Sequence, residues 1–215
     1  MNVVKYSTKL KVLASFKQEA QIALSEDQRM LGIECHDETI HESSFKHLDV
    51  QQAKFSASQF DHCDFEKASF VDCVFERCDL SNSGFKSAYF ERCQFIECKL
   101  VGCDFSSTRL KHVQFDQSIL KYAFFEQSRI ESSQFNRCDL TETSFSEVTF
   151  KQLNVDDSKF IRNNFFKTSL KQIDFSNCEF IAPIISDNQT ELKGILVNSM
   201  QALDLVSMWG IIIKN

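Results

Sequence analysis

The sequence predicts an all-β solenoid, a four-sided coil of short stacked strands, and three observations predict it. From Ile40 to Ile185 every fifth residue is apolar, thirty positions without an insertion or a slip of phase, and nineteen of them are Phe. Two residues before these positions the chain places Ala, Ser, Thr or Cys in twenty-two of the thirty cases, as in Cys63-Asp-Phe65, Cys78-Asp-Leu80 and Cys103-Asp-Phe105. Of the fifteen apolar positions numbered in fives, thirteen are Phe; of the fifteen numbered in tens, six are Phe and six are Leu, with Leu80, Leu100, Leu120 and Leu140 recurring at twenty.

A period of five rules out an amphipathic helix. At about 100° per residue, apolar residues five apart would drift around a helix and leave no continuous buried stripe. In an extended chain residues two apart share a face, so the small residue and the large centre point inward together and the residue between them points out. The two remaining residues turn a corner. Strand and corner repeated in fives make a coil whose neighbouring turns exchange backbone hydrogen bonds, and the beat of twenty gives it four walls. Thirty units then form seven and a half coils, about 36 Å of rod at roughly 4.8 Å per stacked strand.

In chain order, residues 1–39 lack the repeat; Leu10, Val12, Leu13, Phe16, Ile22 and Leu24 among charged residues predict a cap over the first coil. No uninterrupted apolar stretch follows the early lysines, and no span reaches membrane length, so the expected location is the cytoplasm. Residues 40–185 form the coil, with oversized residues at some small-residue positions: Leu48, Val113, Val148, Leu153 and Ile173. Residues 186–215 form a second cap. There Asn198 or Ser199 can start a helix and Gly210 can end it. Met200, Leu203, Val206, Met208 and Trp209, followed by a β-prone Ile211, Ile212 and Ile213, supply an apolar surface. The naked strand edges of a last coil must be covered, and this tail is expected to make a homodimer as it does so.

Chemistry is scarce in the repeat. Eight of nine cysteines, Cys63, Cys73, Cys78, Cys93, Cys98, Cys103, Cys138 and Cys178, fall in the small inward position and read as core filler. None has zinc-site spacing with the five His residues, so no metal or other cofactor is expected. There is no phosphate-binding glycine loop and no nucleophile elbow. A lumen filled by its own side chains leaves no substrate pocket, so no enzyme and no small-molecule substrate is expected. Function is expected on the outer walls and ends.

Sorting charges onto walls separates them. The wall through Phe75, Phe95 and Phe115 and the adjoining wall through Phe60 and Leu80 together carry net −5, while the wall through Phe90, Leu110 and Ile130 carries +2. The candidate partner-binding acids on this edge are Glu76, Asp79, Glu97, Asp116, Asp139, Asp156, Asp157, Asp174 and Glu179. Duplex DNA carries one negative charge per about 1.7 Å, so this edge is several-fold sparser. Three aromatic residues, Tyr122, Phe124 and Phe166, stand where the repeat needs none and are expected to face outward as partner anchors.

The units just quoted resemble the pentapeptide-repeat family, whose pattern is a small residue, Asp or Asn, then Leu or Phe and two variable positions. That resemblance implies a right-handed quadrilateral β-helix over 40–185. The chain also resembles the Qnr-type branch without loop insertions, and its tail from Gly194 to Asn215 is similar to the tail by which that branch dimerises. This second resemblance implies a DNA-mimicking partner of the type II topoisomerases gyrase and topoisomerase IV that protects them from quinolones or a gyrase-poisoning toxin, with no nucleic acid and no membrane as partner. An interaction scaffold with a different protein partner is the other reading.

Overall fold

The structure is a computed structural model that describes residues 4, 6, 9–208 and 210–212. An all-parallel β-solenoid of about nine turns runs through the chain, with a helix near each end. Bridged residues are twenty apart throughout the coil, as in Leu110↔Ile130 on one wall and Phe115↔Phe135 on the next. Two walls carry three-residue strands. From Asp49–Ser56, which spans both walls, one row climbs through Ser69–Val71 to Thr149–Lys151 and the other through Val74–Glu76 to Asn154–Asp156. The other two walls are joined mostly by single bridges such as Asp104↔Phe124 and Asp79↔Lys99.

The centres fill the lumen. Phe45, Phe65, Phe85, Phe105, Phe125, Phe145 and Phe165 stack face to face along one wall, and Phe55, Phe75, Phe95, Phe115 and Phe135 along the opposite one, with centroids one coil apart 4.7–5.5 Å. Rings on facing walls meet edge to face, as Phe105 and Phe115 do at 6.3 Å and 83°. The edge-to-face contacts suit the ring quadrupole, and the two geometries together account for the Phe-rich beat of ten.

The small position has a second task besides fitting the corner. At Ser58, Ser83, Ser118, Ser133 and Ser158 the hydroxyl accepts an amide from the coil below and donates to a backbone carbonyl: Cys98 N–H donates to Ser118 Oγ at 3.0 Å, and Ser118 Oγ donates to Phe95 O, whereas the buried Ser128 Oγ has no partner among the described residues. Cys thiols donate to the same set of carbonyls, as Cys98 does to Phe75. The corner amides that these hydroxyls accept are thereby satisfied. The corner residue two beyond each centre has positive φ almost throughout the coil, and nearly all of these residues are not glycine. Its amide is tied to the next coil, as His47 N–H is to Glu66 O at 2.9 Å, which holds the unusual conformation in place.

The N-terminal end closes with a plug. Helix α1 (Phe16–Ser25) is capped by the Ser15 side chain, and Phe16 sits edge to face on Phe45, Phe55 and Phe60. The strand Met30–His36 pairs in register with Asp49–Ser56, and Cys35 lies under Phe55 in the place of a centre. A small residue suffices there because Phe16 fills the lumen. The Glu38 carboxylate accepts the Phe16 amide, a favourable charge at a helix N-terminus.

At the other end Asp174 bridges Leu196, and the buried Glu191 carboxylate ties the last turn by accepting from the Lys167 amide and the Ser186 hydroxyl. Helix α2 (Ser199–Ser207) follows with a capping box between Asn198 and Gln201. Its inward face is Gln201, whose amide donates to the Phe175 and Cys178 carbonyls, and Leu205.

Candidate protein-interaction surfaces

The acidic edge is divided by its ion pairs. Glu76 meets Lys54 and Arg77 at 3.0 and 2.9 Å, Asp116 meets Arg137 at 2.9 Å, and Asp139 meets Lys121 at 3.1 Å. Asp79 and Glu179 lie 3.7 and 3.6 Å from Lys99 and Lys159. Hydrogen bonding from Lys54 holds the Glu76 carboxyl below its ordinary range. For Asp139, burial pushes the carboxyl up, but Thr141 and Lys121 prevail and it titrates low. Among the described residues Glu97, Asp156, Asp157 and Asp174 make no ion pair, and the last three cluster near the C-terminal end of one wall. Asp174 is held low by the Ser176 side chain and amide. Three of these four exposed acids thus lie together near the C-terminal end of the edge the sequence outlined, with Glu97 apart from them.

The wall of opposite charge is braced in the same way. Glu131 is nearly buried and sits among Arg129 at 2.9 Å, Lys151 at 3.4 Å and Arg109 at 3.6 Å. Its hydrogen bond from Arg129, aided by Lys151, holds the carboxyl down to about 2 against the upward push of burial.

The three aromatic residues stand outside the core. Tyr122, Phe124 and Phe166 are 50%, 45% and 39% exposed. Tyr122 occupies a corner with φ 60°, where a bulky side chain is unfavourable, and the Lys167 ammonium lies 5.0 Å from the Phe166 ring centroid. Met200 and Leu203 on helix α2 face outward and Val206 is half-buried, while Met208, Ile211 and Ile212 beyond it are exposed. Trp209 and Ile213, expected in the same surface, lie outside the described residues. Sequence reading missed Gln201 and Leu205, the residues that seat the helix on the coil. The i, i+4 spacing of Gln201 and Leu205 was the available signal, weakened because one of the pair is polar.

All nine cysteines are free and buried. Burial pushes the Cys35 and Cys138 thiols up to about 12, so they hold no thiolate near neutrality. Among the described residues no group of three or more His, Cys, Asp or Glu is placed to hold a metal ion, and no helix is long and apolar enough to cross a membrane.

The geometry so far is a twenty-residue coil of five-residue units, and a family model described as "Pentapeptide repeat region" matches residues 68–132. The chain carries a pentapeptide-repeat β-helix. Among solved structures, trypsin-treated QnrB1, a plasmid-mediated fluoroquinolone resistance protein, is similar to this pentapeptide-repeat coil with TM-score 0.54 and 20% identity, over 87% of this chain and 94% of that one. A second trypsin-treated QnrB1 structure aligns with TM-score 0.46 and 16% identity over 84% and 100% of the chains. HetL, a pentapeptide repeat protein involved in heterocyst differentiation regulation in the cyanobacterium Nostoc, aligns with TM-score 0.28 and 13% identity over 79% and 92%. The last two are too unlike in shape to bear on the comparison. No curated protein matches the sequence.

Proposed function

We propose that this pentapeptide-repeat rod is a non-enzymatic cytoplasmic protein that binds a type II topoisomerase, gyrase or topoisomerase IV, in place of DNA and protects it from quinolones or a gyrase-poisoning toxin. The observation that carries the reading is the cluster of unneutralised acids, Asp156, Asp157 and Asp174, on the outside of a slender rod whose fold is similar to that of a fluoroquinolone resistance protein. Exposed negative charge of this kind steers a protein toward a basic, DNA-binding surface. The test is gyrase supercoiling with ciprofloxacin, with and without the protein. Protection that weakens with salt supports the reading, and an unchanged inhibition curve together with no co-purification of gyrase overturns it.

A scaffold with a different protein partner is favoured by the ion pairs that neutralise Glu76, Asp79, Asp116, Asp139 and Glu179. Exposed Met200, Leu203 and Met208 support a homodimer built through the C-terminal segment. Deleting residues 199–215 is expected to give a monomer or an aggregate by light scattering, whereas an intact dimer would exclude this segment as the contact.

A further inference from the structure

The coil is split on two walls. Within the strand-bearing walls each centre and each corner donates its amide to the coil above, as Arg137 does to Asp156 O and Ser132 does to Lys151 O. Above Thr149–Lys151 and Asn154–Asp156 this stops. Among the described residues no backbone hydrogen bond joins 149–157 to 169–177, although the other two walls stay paired through Lys159–Ile161 with Glu179–Ile181 and through Ser144↔Asn164↔Ile184. The amides of Phe150, Gln152, Val155 and Asp157 on the lower lip, and of Ser169 and Asp174 on the upper lip, are left without backbone partners. A cavity of about 960 Å³ opens on the wall of Phe150 and one of about 480 Å³ on the wall of Val155. One side-chain bond, Asn177 to Asp156 at 3.3 Å, crosses the second. Phe150 and Val155 are half-buried, whereas the centres on these walls one coil earlier, Ile130 and Phe135, are fully buried.

Two features of sequence account for the split. In the corner column the small residue is Cys73, Cys93, Val113 and Ser133, and then Leu153 directly under Ile173; two large aliphatic groups cannot share a space that fits Ser and Cys. Outside, one column reads Glu91, Lys111, Glu131, Lys151, Lys171. Opposite charges meet along it at 3.0 Å for Lys111–Glu91 and 3.4 Å for Lys151–Glu131. Lys151 under Lys171 breaks the alternation, and like charges directly opposite in a sheet are destabilising. The Lys171 stem rests near Gly194, where even a Cβ would stand 3.2 Å from its Cγ, and among the described residues Lys171 makes no ion pair.

We propose that this cleft is the docking site for an extended segment of a partner protein, which enters as an extra parallel strand with an apolar residue over Phe150 and, next to it, a Glu or Asp between Lys151 and Lys171. Such a strand completes the ladder on both lips, restores the alternation of charge and covers the half-exposed Phe150. Its continuation past the corner meets Val155 with a second apolar residue and faces Asp156 and Asp174 with amide or basic side chains. The unpaired backbone amides on both lips need a partner with free carbonyls and amides along its length, which an extended backbone offers and a helix, paired within itself, does not.

The probe is a fluorescent, end-blocked nonapeptide with the sequence of residues 128–136, Ser-Arg-Ile-Glu-Ser-Ser-Gln-Phe-Asn, which is how this chain itself fills the position below. It is expected to bind the full-length protein saturably, and to slow hydrogen exchange at the amides of Phe150, Gln152, Val155 and Asp157. Replacing its Glu by Lys, or changing the protein by Lys171→Glu or the milder Lys171→Gln, should weaken binding roughly five- to tenfold. N-methylation of the backbone amides that pair should abolish it. No saturable binding up to about 1 mM peptide, equal binding by the methylated peptide, or protection appearing at other amides would each overturn the proposal.

Discussion

Between the coil of Phe45 and the coil of Phe145 each turn is hydrogen-bonded to the next on all four walls, whereas the turn that contains 149–157 is joined to the one above it only on its other two walls. Both regions obey the five-residue rule at their centres. They differ at the small position, where Ser133 receives the Val113 amide at 3.0 Å but Leu153 and Ile173 can accept nothing and need more room. The centres choose the architecture. The small position decides whether consecutive turns touch.

The largest effect expected from this difference concerns the centres themselves. Phe125→Ala, in the closed region, should cost about 3–5 kcal/mol, while Phe150→Ala, at the split, should cost roughly half as much because half of the ring's burial is already absent. Denaturant midpoints compare them; equal losses would mean that the two regions are packed alike. Next, Leu153→Ser combined with Ile173→Ser should let the walls meet. The amides of Val155 and Asp157 should then exchange at least about tenfold more slowly, the equivalent of roughly 1.4 kcal/mol or one to two net hydrogen bonds. Unchanged exchange would show that bulk in this column is not what holds the lips apart.

Acid should also separate the regions. Glu131, in the closed part, has a folded pKa of about 2 against an ordinary value near 4.5. A depressed carboxylate stabilises the fold above its unfolded pKa, and that stabilisation disappears as pH falls through the window from 4.5 toward 2. Wild type should therefore lose melting temperature relative to Glu131→Gln across that window. Asp174→Asn, on the upper lip, removes a carboxylate that only Ser176 holds low, and its difference from wild type should vary less with pH. The smallest effect is expected at the surface: Phe124→Ser with Phe166→Ser should shift stability by no more than about 0.5 kcal/mol while lowering partner affinity. A loss as large as that of Phe125→Ala would place those rings in the packing.

Much of the fold was legible because its code is one-dimensional. Period five excluded a helix, the beat of twenty set four walls, and the position of Phe124 just before its centre put it outside, where it is found. Less legible was whatever depends on two residues twenty apart. Leu153 and Ile173 were visibly too large for their positions, yet only their superposition splits the coil. The acids of two walls could be counted from sequence, but the pairing of Asp116 with Arg137 and of Asp139 with Lys121 requires knowing which side chains reach across a coil. The strand Met30–His36 was hidden because Cys35 and Phe16 share the work of one centre.

That shared centre bears on the order of assembly. Every later coil needs a formed neighbour about twenty residues back, so contact order stays short while growth requires a template. Phe16 on Phe45, Phe55 and Phe60 makes that template within the first sixty residues, and a chain emerging N-terminus first has its seed before most of the material to be wound onto it. The winding then proceeds by repetition until 153 meets 173, where a polymer that otherwise copies its last turn has to stop copying.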